Sequence, residues 1–198
     1  MIRLINRLKV ISLICALSIM VGCTHVSKVP DYSLHSQRND YDLEKKIDLN
    51  IALVQNEALR TAKWEVSHAG DTWLMEIGPQ LAKNSNELAS ILFKNVTVTD
   101  ISKSNSRVDA VLTPRVVTIE RAYAGKDEGV ITTIVFEWKL QDRDQNLIWI
   151  DTIKGNSKAS LRQDEDGNRL LLQDLFRKSF QSIKSSPEIN MYAEKRKE

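Results

Sequence analysis

The chain has 198 residues, with 28 Lys and Arg against 26 Asp and Glu for a formal net charge of +2, and it has two cysteines. That length suits one domain with a real core. The near-balance of charge excludes the broad basic field of a nucleic-acid binder, and two cysteines exclude a disulfide framework.

In chain order, Arg3, Arg7 and Lys9 precede an apolar run over residues 10–21, the charged-then-apolar order of a secretory signal peptide. The run is about a dozen residues, short of the roughly 20 that a spanning helix requires. It closes with Leu17-Ser18-Ile19-Met20-Val21-Gly22-Cys23, and this close resembles the lipobox of bacterial lipoproteins, with Met20 where Leu is usual. The resemblance implies that the Cys23 thiol carries a diacylglyceryl group, that residues 1–22 are cut away and that the new amino terminus is acylated. At about 0.8 kcal/mol per buried CH₂, three acyl chains make a permanent anchor. Thr24 in the second position, in place of the Asp that signals inner-membrane retention, implies the periplasmic face of an outer membrane. Removing these 22 residues, three of them basic and none acidic, leaves 176 with a net charge of −1, and takes away Cys15. The covalent lipid on Cys23 is the one attached group expected, with no other cofactor and no metal.

Residues 23–46 are polar, hold Pro30 and scattered charges, and lack a sustained period, so they read as a flexible tether ahead of a domain over residues 47–186. Ile47, Leu49, Ile51 and Leu53 alternate with polar or small residues and predict a strand. Trp64 and Val66, a His68-Ala69-Gly70 turn, then Trp73, Met75 and Ile77 predict a hairpin. Gly78-Pro79 opens a helix whose stripe is Leu81, Leu88, Ile91 and Leu92. A strand follows over residues 96–101, a polar loop over 102–107, and a long strand over 109–121, where Pro114 requires an edge, a bulge or a bend. Strands over 130–141 and 146–154 flank the turn Asp142-Arg143-Asp144-Gln145. Asp166 or Asn168 then caps a helix carrying Leu171, Leu172, Leu175, Phe176, Phe180 and Ile183, ended by Pro187. Residues 187–198 read as a charged, solvated tail.

The order predicts an α+β fold, a mixed and mostly antiparallel sheet with two amphipathic helices packed on one face. With Asp109-Ala110-Val111-Leu112 opening a strand and Trp138 and Trp149 on the last hairpin, it resembles the periplasmic domains of envelope lipoproteins and their relatives: LptE, the amino-terminal domain of TolB, CsgG and the ABC-transport auxiliary lipoproteins. The resemblance implies a non-catalytic accessory or assembly role in an envelope transport or surface-assembly system, with other envelope proteins or further copies as partners. A CsgG-like pore needs inserted spanning hairpins of about 9 to 11 residues per strand, and residues 123–129 are too few.

Catalytic signatures are absent from the sequence: no G-x-S-x-G, no H-E-x-x-H and no glycine-rich phosphate loop. Mature histidines are confined to His25, His35 and His68. Asp142, Asp144 and Asn146 copy the start of a calcium loop, but Leu147 stands where glycine is needed and Ile153 where a bidentate Glu belongs; Asp164, Asp166 and Asn168 fail similarly at Leu175. The rival reading is a hydrolase using the carboxylates of Asp109, Glu120 or Glu137, which strand alternation already places toward solvent. A four-residue turn pairs Gln141 with Asn146, sets Leu140 opposite Leu147, Trp138 opposite Trp149 and Ile134 opposite Ile153, and sends Ile131, Val135, Ile148 and Ile150 to the face without helices. Those four are the expected partner-binding surface.

Overall fold

The computed structural model describes residues 23–35, 45–68, 71–100, 108–125, 129–160 and 163–196. The expected signal segment (1–22), the middle of the expected tether (36–44), the 69–70 turn and the 102–107 loop lie outside the described residues. In chain order the elements are β1 (Thr24–Val26), β2 (Ile47–Val54), α1 (Glu57–Arg60), β3 (Lys63–His68), β4 (Asp71–Glu76), α2 (Gly78–Leu92), β5 (Phe93–Thr99), β6 (Ala110–Gly125), β7 (Gly129–Asp142), β8 (Leu147–Ala159), α3 (Asp164–Ser185) and α4 (Pro187–Lys195).

The α+β class holds, but there are two sheets where one was expected. The large sheet has the order β5-β2-β6-β7-β8, with β2 parallel to both neighbours and β6, β7 and β8 antiparallel. The hairpin of β3 and β4 stands apart and joins β1 in a small sheet of order β1-β4-β3. The alternating residues Leu49, Ile51 and Leu53 of β2 and Ile134, Phe136, Trp138 and Leu140 of β7 are buried against Leu81, Leu88 and Leu92 of α2 and Leu172, Leu175, Phe176 and Ile183 of α3. The main core therefore lies between the large sheet and its helices, with a separate small cluster of Ala52, Val54, Val108 and Val111. Pro114 is tolerated because β2 pairs only with Ala110, Val111 and Leu112. Beyond Leu112 that side of β6 is an edge, where a missing N–H costs no ladder bond.

At Gly155 of β8 the helix α3 packs tightly on the strand: a Cβ built there would lie 2.8 Å from Leu175 Cβ. Gly155→Val is expected to lower stability by about 1 to 3 kcal/mol through overpacking, read from the urea midpoint of the unlipidated mature chain. An unchanged midpoint would mean that this helix and strand separate freely.

Four expectations are corrected. Residues 23–35 are no free tether: β1 pairs in parallel with Thr72, Trp73 and Leu74, the Ser27 amide donates to Leu74 O at 2.8 Å, and Tyr32 and Leu34 are 4% and 0% exposed. Buried backbone must find partners, and this segment finds them on α2, where Asn84 Nδ2 donates to Tyr32 O at 2.9 Å and Glu87 accepts from the Leu34 amide at 2.6 Å. The expected tail contains α4, with Ile189 and Ala193 buried. Pro187 starts this helix as well as following the last, because it stands at the first helical position after Ser186, whose Oγ accepts from the Ile189 amide at 3.2 Å. Asn168 caps nothing; α3 begins at Asp164, and Asn168 Nδ2 donates to Lys28 O at 2.7 Å and Ser27 Oγ at 3.0 Å, fastening the amino-terminal segment.

The fourth correction is the register of the last hairpin. Gln141 pairs with Leu147, but Leu140 pairs with Trp149 and Phe136 with Ile153, because a bulge lies between Leu140 and Gln141. One extra residue in a strand exchanges the faces next to it. Leu147 is therefore 57% exposed, whereas Ile148 packs against the main core. Trp149 and Ile153 keep the covered face because their displacement amounts to two residues.

Candidate functional site

The expected partner surface is interrupted by charge. Ile131 and Ile150 are exposed on the face without helices and Val135 is half-buried there. Their cross-strand neighbours are Lys158, Lys139 and Lys154 respectively, and Arg115 and Glu137 make a two-pronged ion pair among them. The carboxylates considered for catalysis are not brought together. Asp109 accepts from the Asn50 amide and side chain at 2.9 and 2.8 Å and faces Arg143 at 3.2 Å, Glu137 is held by Arg115, and Glu120 lies opposite Thr133. Asp142, first in the calcium-like series, accepts from the Asn146 side chain and from the Asn146 and Asp144 amides. These bonds, the Asn146 side chain foremost, hold its carboxyl below the usual range, and they fold the turn around it.

The concave site lies at the other end of the long hairpin. Its cleft, about 490 Å³, is lined by His25 and Val26 of β1, Trp64 and Val66 of β3, Trp73 and Leu74 of β4, Arg121 and Tyr123 of β6, and Val130 of β7, with Ser27 and Asp164. The small sheet is one wall and the hairpin end the other. Trp73 and Tyr123 at the rim are 44% and 59% exposed, with Val26 at 61% and Val66 at 43% beside them. His25 stacks on Trp73, the ring centroids 4.3 Å apart and the planes at 20°.

The base of the cleft is polar but self-satisfied. Arg121 follows Ile119 on the inward face of β6, and its side chain is 9% exposed. It is hydrogen-bonded to Asp164, the first residue of α3, and its guanidinium carbon lies 5.6 Å from the Trp64 ring centroid, a cation over an aromatic face. Asp164 also accepts from Ser27 Oγ. Carboxylates are favoured in the first turn of a helix, where the peptide dipoles are positive. Burying the Arg121 charge is offset by the Asp164 carboxylate and the Trp64 face.

Cys23 is exposed and stands one residue before β1, two before His25 of the cleft lining. Its N–H donates to Asp71 Oδ1 at 3.0 Å and its carbonyl accepts from the Thr72 amide at 2.9 Å. His25 Nε2 lies 3.9 Å from Asp71 Oδ2, too far for a hydrogen bond. Among the described residues no group of three or more His, Cys, Asp and Glu could hold a metal ion, and no helix is long and apolar enough to cross a membrane.

Of the expected partner residues, Ile131, Val135 and Ile150 are thus spread along a charged face and Ile148 packs against the core; the cleft lies elsewhere. A signal for it was present: Arg121 interrupts an otherwise apolar inward face, and the β3–β4 hairpin carries Trp64, Val66, Trp73 and Met75, more than one buried face requires.

No protein-family profile matches this sequence, and a search of curated proteins finds no match. The fold is a two-sheet α+β domain, and solved structures are similar to it in differing measure. A Xanthomonas campestris protein of the DUF330 family superposes with a TM-score of 0.54 at 12% identity, over 87% of this chain and 99% of that one. A Neisseria meningitidis lipoprotein reaches 0.40 at 16% identity, over 69% and 99%, and a Chlamydia trachomatis hypothetical protein 0.44 at 10%, over 69% and 96%. The first likeness carries the fold alone.

Proposed function

We propose that this chain is the precursor of a bacterial envelope lipoprotein that serves as a non-catalytic accessory or assembly component of an envelope transport or surface-assembly system. Cys23 carries the lipid, and the periplasmic face of the outer membrane is its site. The observation that carries this reading is an apolar, aromatic-rimmed cleft lined in part by β1, the strand that starts one residue after the cysteine closing the lipobox-like run. At the base of the cleft Arg121, Asp164 and Ser27 are bonded to one another, and the remaining lining is mainly apolar and aromatic, which supports a cleft that holds apolar surface. The reading agrees with the role implied by the resemblance to auxiliary lipoproteins of ABC transport.

Metabolic labelling with an alkynyl palmitate tests it. The native chain is expected to take the label and fractionate with outer membranes, and Cys23→Ala to lose the label and appear folded in the periplasmic extract. Continued labelling of Cys23→Ala would end the lipoprotein reading. Recovery of the native chain with inner membranes would end the outer-membrane assignment alone.

A further inference from the structure

We propose that the rim of the cleft, Val26, Val66, Trp73 and Tyr123, is a membrane-docking surface that inserts into the headgroup layer of the phospholipid leaflet holding the anchor. This rests on the lipidation of Cys23. The argument begins with the shortness of the connection. Cys23 is fixed to the domain through Asp71 and Thr72, and strand pairing begins at the next residue, Thr24. An acylated amino terminus keeps the N–H that Asp71 accepts, so modification leaves this attachment intact. At about 3.3 Å per residue, Val26 lies within about 10 Å of the lipid-bearing residue along the strand. Trp73 pairs with His25, and Val66 pairs with Trp73, each one strand spacing of about 4.8 Å further across. Acyl chains leaving Cys23 therefore draw this end of the domain onto the bilayer.

The chemistry of the rim suits that position. The exposed large apolar residues among those described include two aromatic rings, Trp73 and Tyr123, and both line this cleft. Trp and Tyr favour the membrane–water interface, where the ring meets acyl chains and the polar tip meets headgroups. Among the described residues, two carboxylates at this end are already engaged: Asp164 by Arg121 and Ser27, and Asp71 by the Cys23 N–H with His25 alongside. A protein partner would be a second occupant of an end that the anchor already holds against lipid.

Trp73 supplies the reporter. The lipidated chain is placed in vesicles of phosphatidylethanolamine and phosphatidylglycerol containing phospholipids brominated near the carbonyl end of the acyl chains, beside Trp73→Phe. Trp138 and Trp149 are buried and Trp64 is partly buried, so the native chain is expected to lose tryptophan emission to the quencher and Trp73→Phe to lose almost none. Equal quenching of the two, or none in a native chain that sediments with the vesicles, would overturn the docking while leaving the anchor in place. Dimers broken by Tyr123→Glu, in an unquenched native chain, would instead assign the rim to a second copy. A native chain with no lipid on Cys23 by mass would overturn the anchor and the docking together.

Discussion

Trp138→Ala is expected to lower the stability of the domain by about 3 to 5 kcal/mol, the range for removing a large aromatic side chain from a packed interior. Trp138 is 0% exposed and its ring meets Phe136 edge to face, the centroids 5.3 Å apart. Its Nε1–H donates to Ser179 Oγ at 2.9 Å, and that hydroxyl in turn donates to Leu175 O at 2.9 Å. Alanine would leave a cavity between β7 and α3 that this close-packed core cannot fill by collapse. Trp138→Phe separates the two contributions, since it keeps much of the volume and loses the hydrogen bond, a net difference on the order of 1 kcal/mol from that bond. Urea denaturation of the unlipidated mature chain reads both variants, and a midpoint for Trp138→Ala equal to the native one would contradict the placement of this ring.

Arg121→Ala is expected to cost about 3 kcal/mol, the low end of the range for breaking a buried ion pair, because Asp164 is 27% exposed and partly rehydrated. The loss falls on the junction between sheets: Arg121 faces Asp164, Trp64 and Met75 Sδ at 3.8 Å, and Asp164 holds Ser27. Limited proteolysis should therefore cut residues 23–35 faster in this variant than in Trp138→Ala at matched global stability. Adding Asp164→Asn should recover part of the loss, since the stranded charge is then removed. A double variant as unstable as the sum of the two single ones would show that the residues do not act as a pair.

What was legible in the sequence follows from period and length. The long strands and two long helices could be read because Ile134, Phe136, Trp138 and Leu140 alternate, and Leu171, Leu172, Leu175 and Phe176 recur at helical spacing. The exchange of Leu147 and Ile148 could not, because a bulge changes the register without changing the pattern on either side. β1 is three residues long, too short for any period, and its partner β4 lies 48 residues on from Cys23 to Asp71, so its pairing is written only in tertiary contacts. The helix after Pro187 is hidden in the sequence because a proline that ends one helix also starts the next when Ser186 stands before it as a cap. The cleft needed both sheets placed, and its sequence trace was the single inward Arg121.

The long hairpin gives the docked domain a height. Arg121, Tyr123 and Val130 stand at the cleft end, and β7 runs 14 residues from there to Asp142, about 45 Å at the usual rise of an antiparallel strand. With its rim on the leaflet, the molecule would be a pillar whose cap is the Asp142–Asn146 turn together with Asp109 and the carboxyl-terminal helix, joined to Asp109 O by Tyr192 Oη at 2.9 Å. Whatever it meets in the aqueous space would meet that polar cap first, far above the lipid.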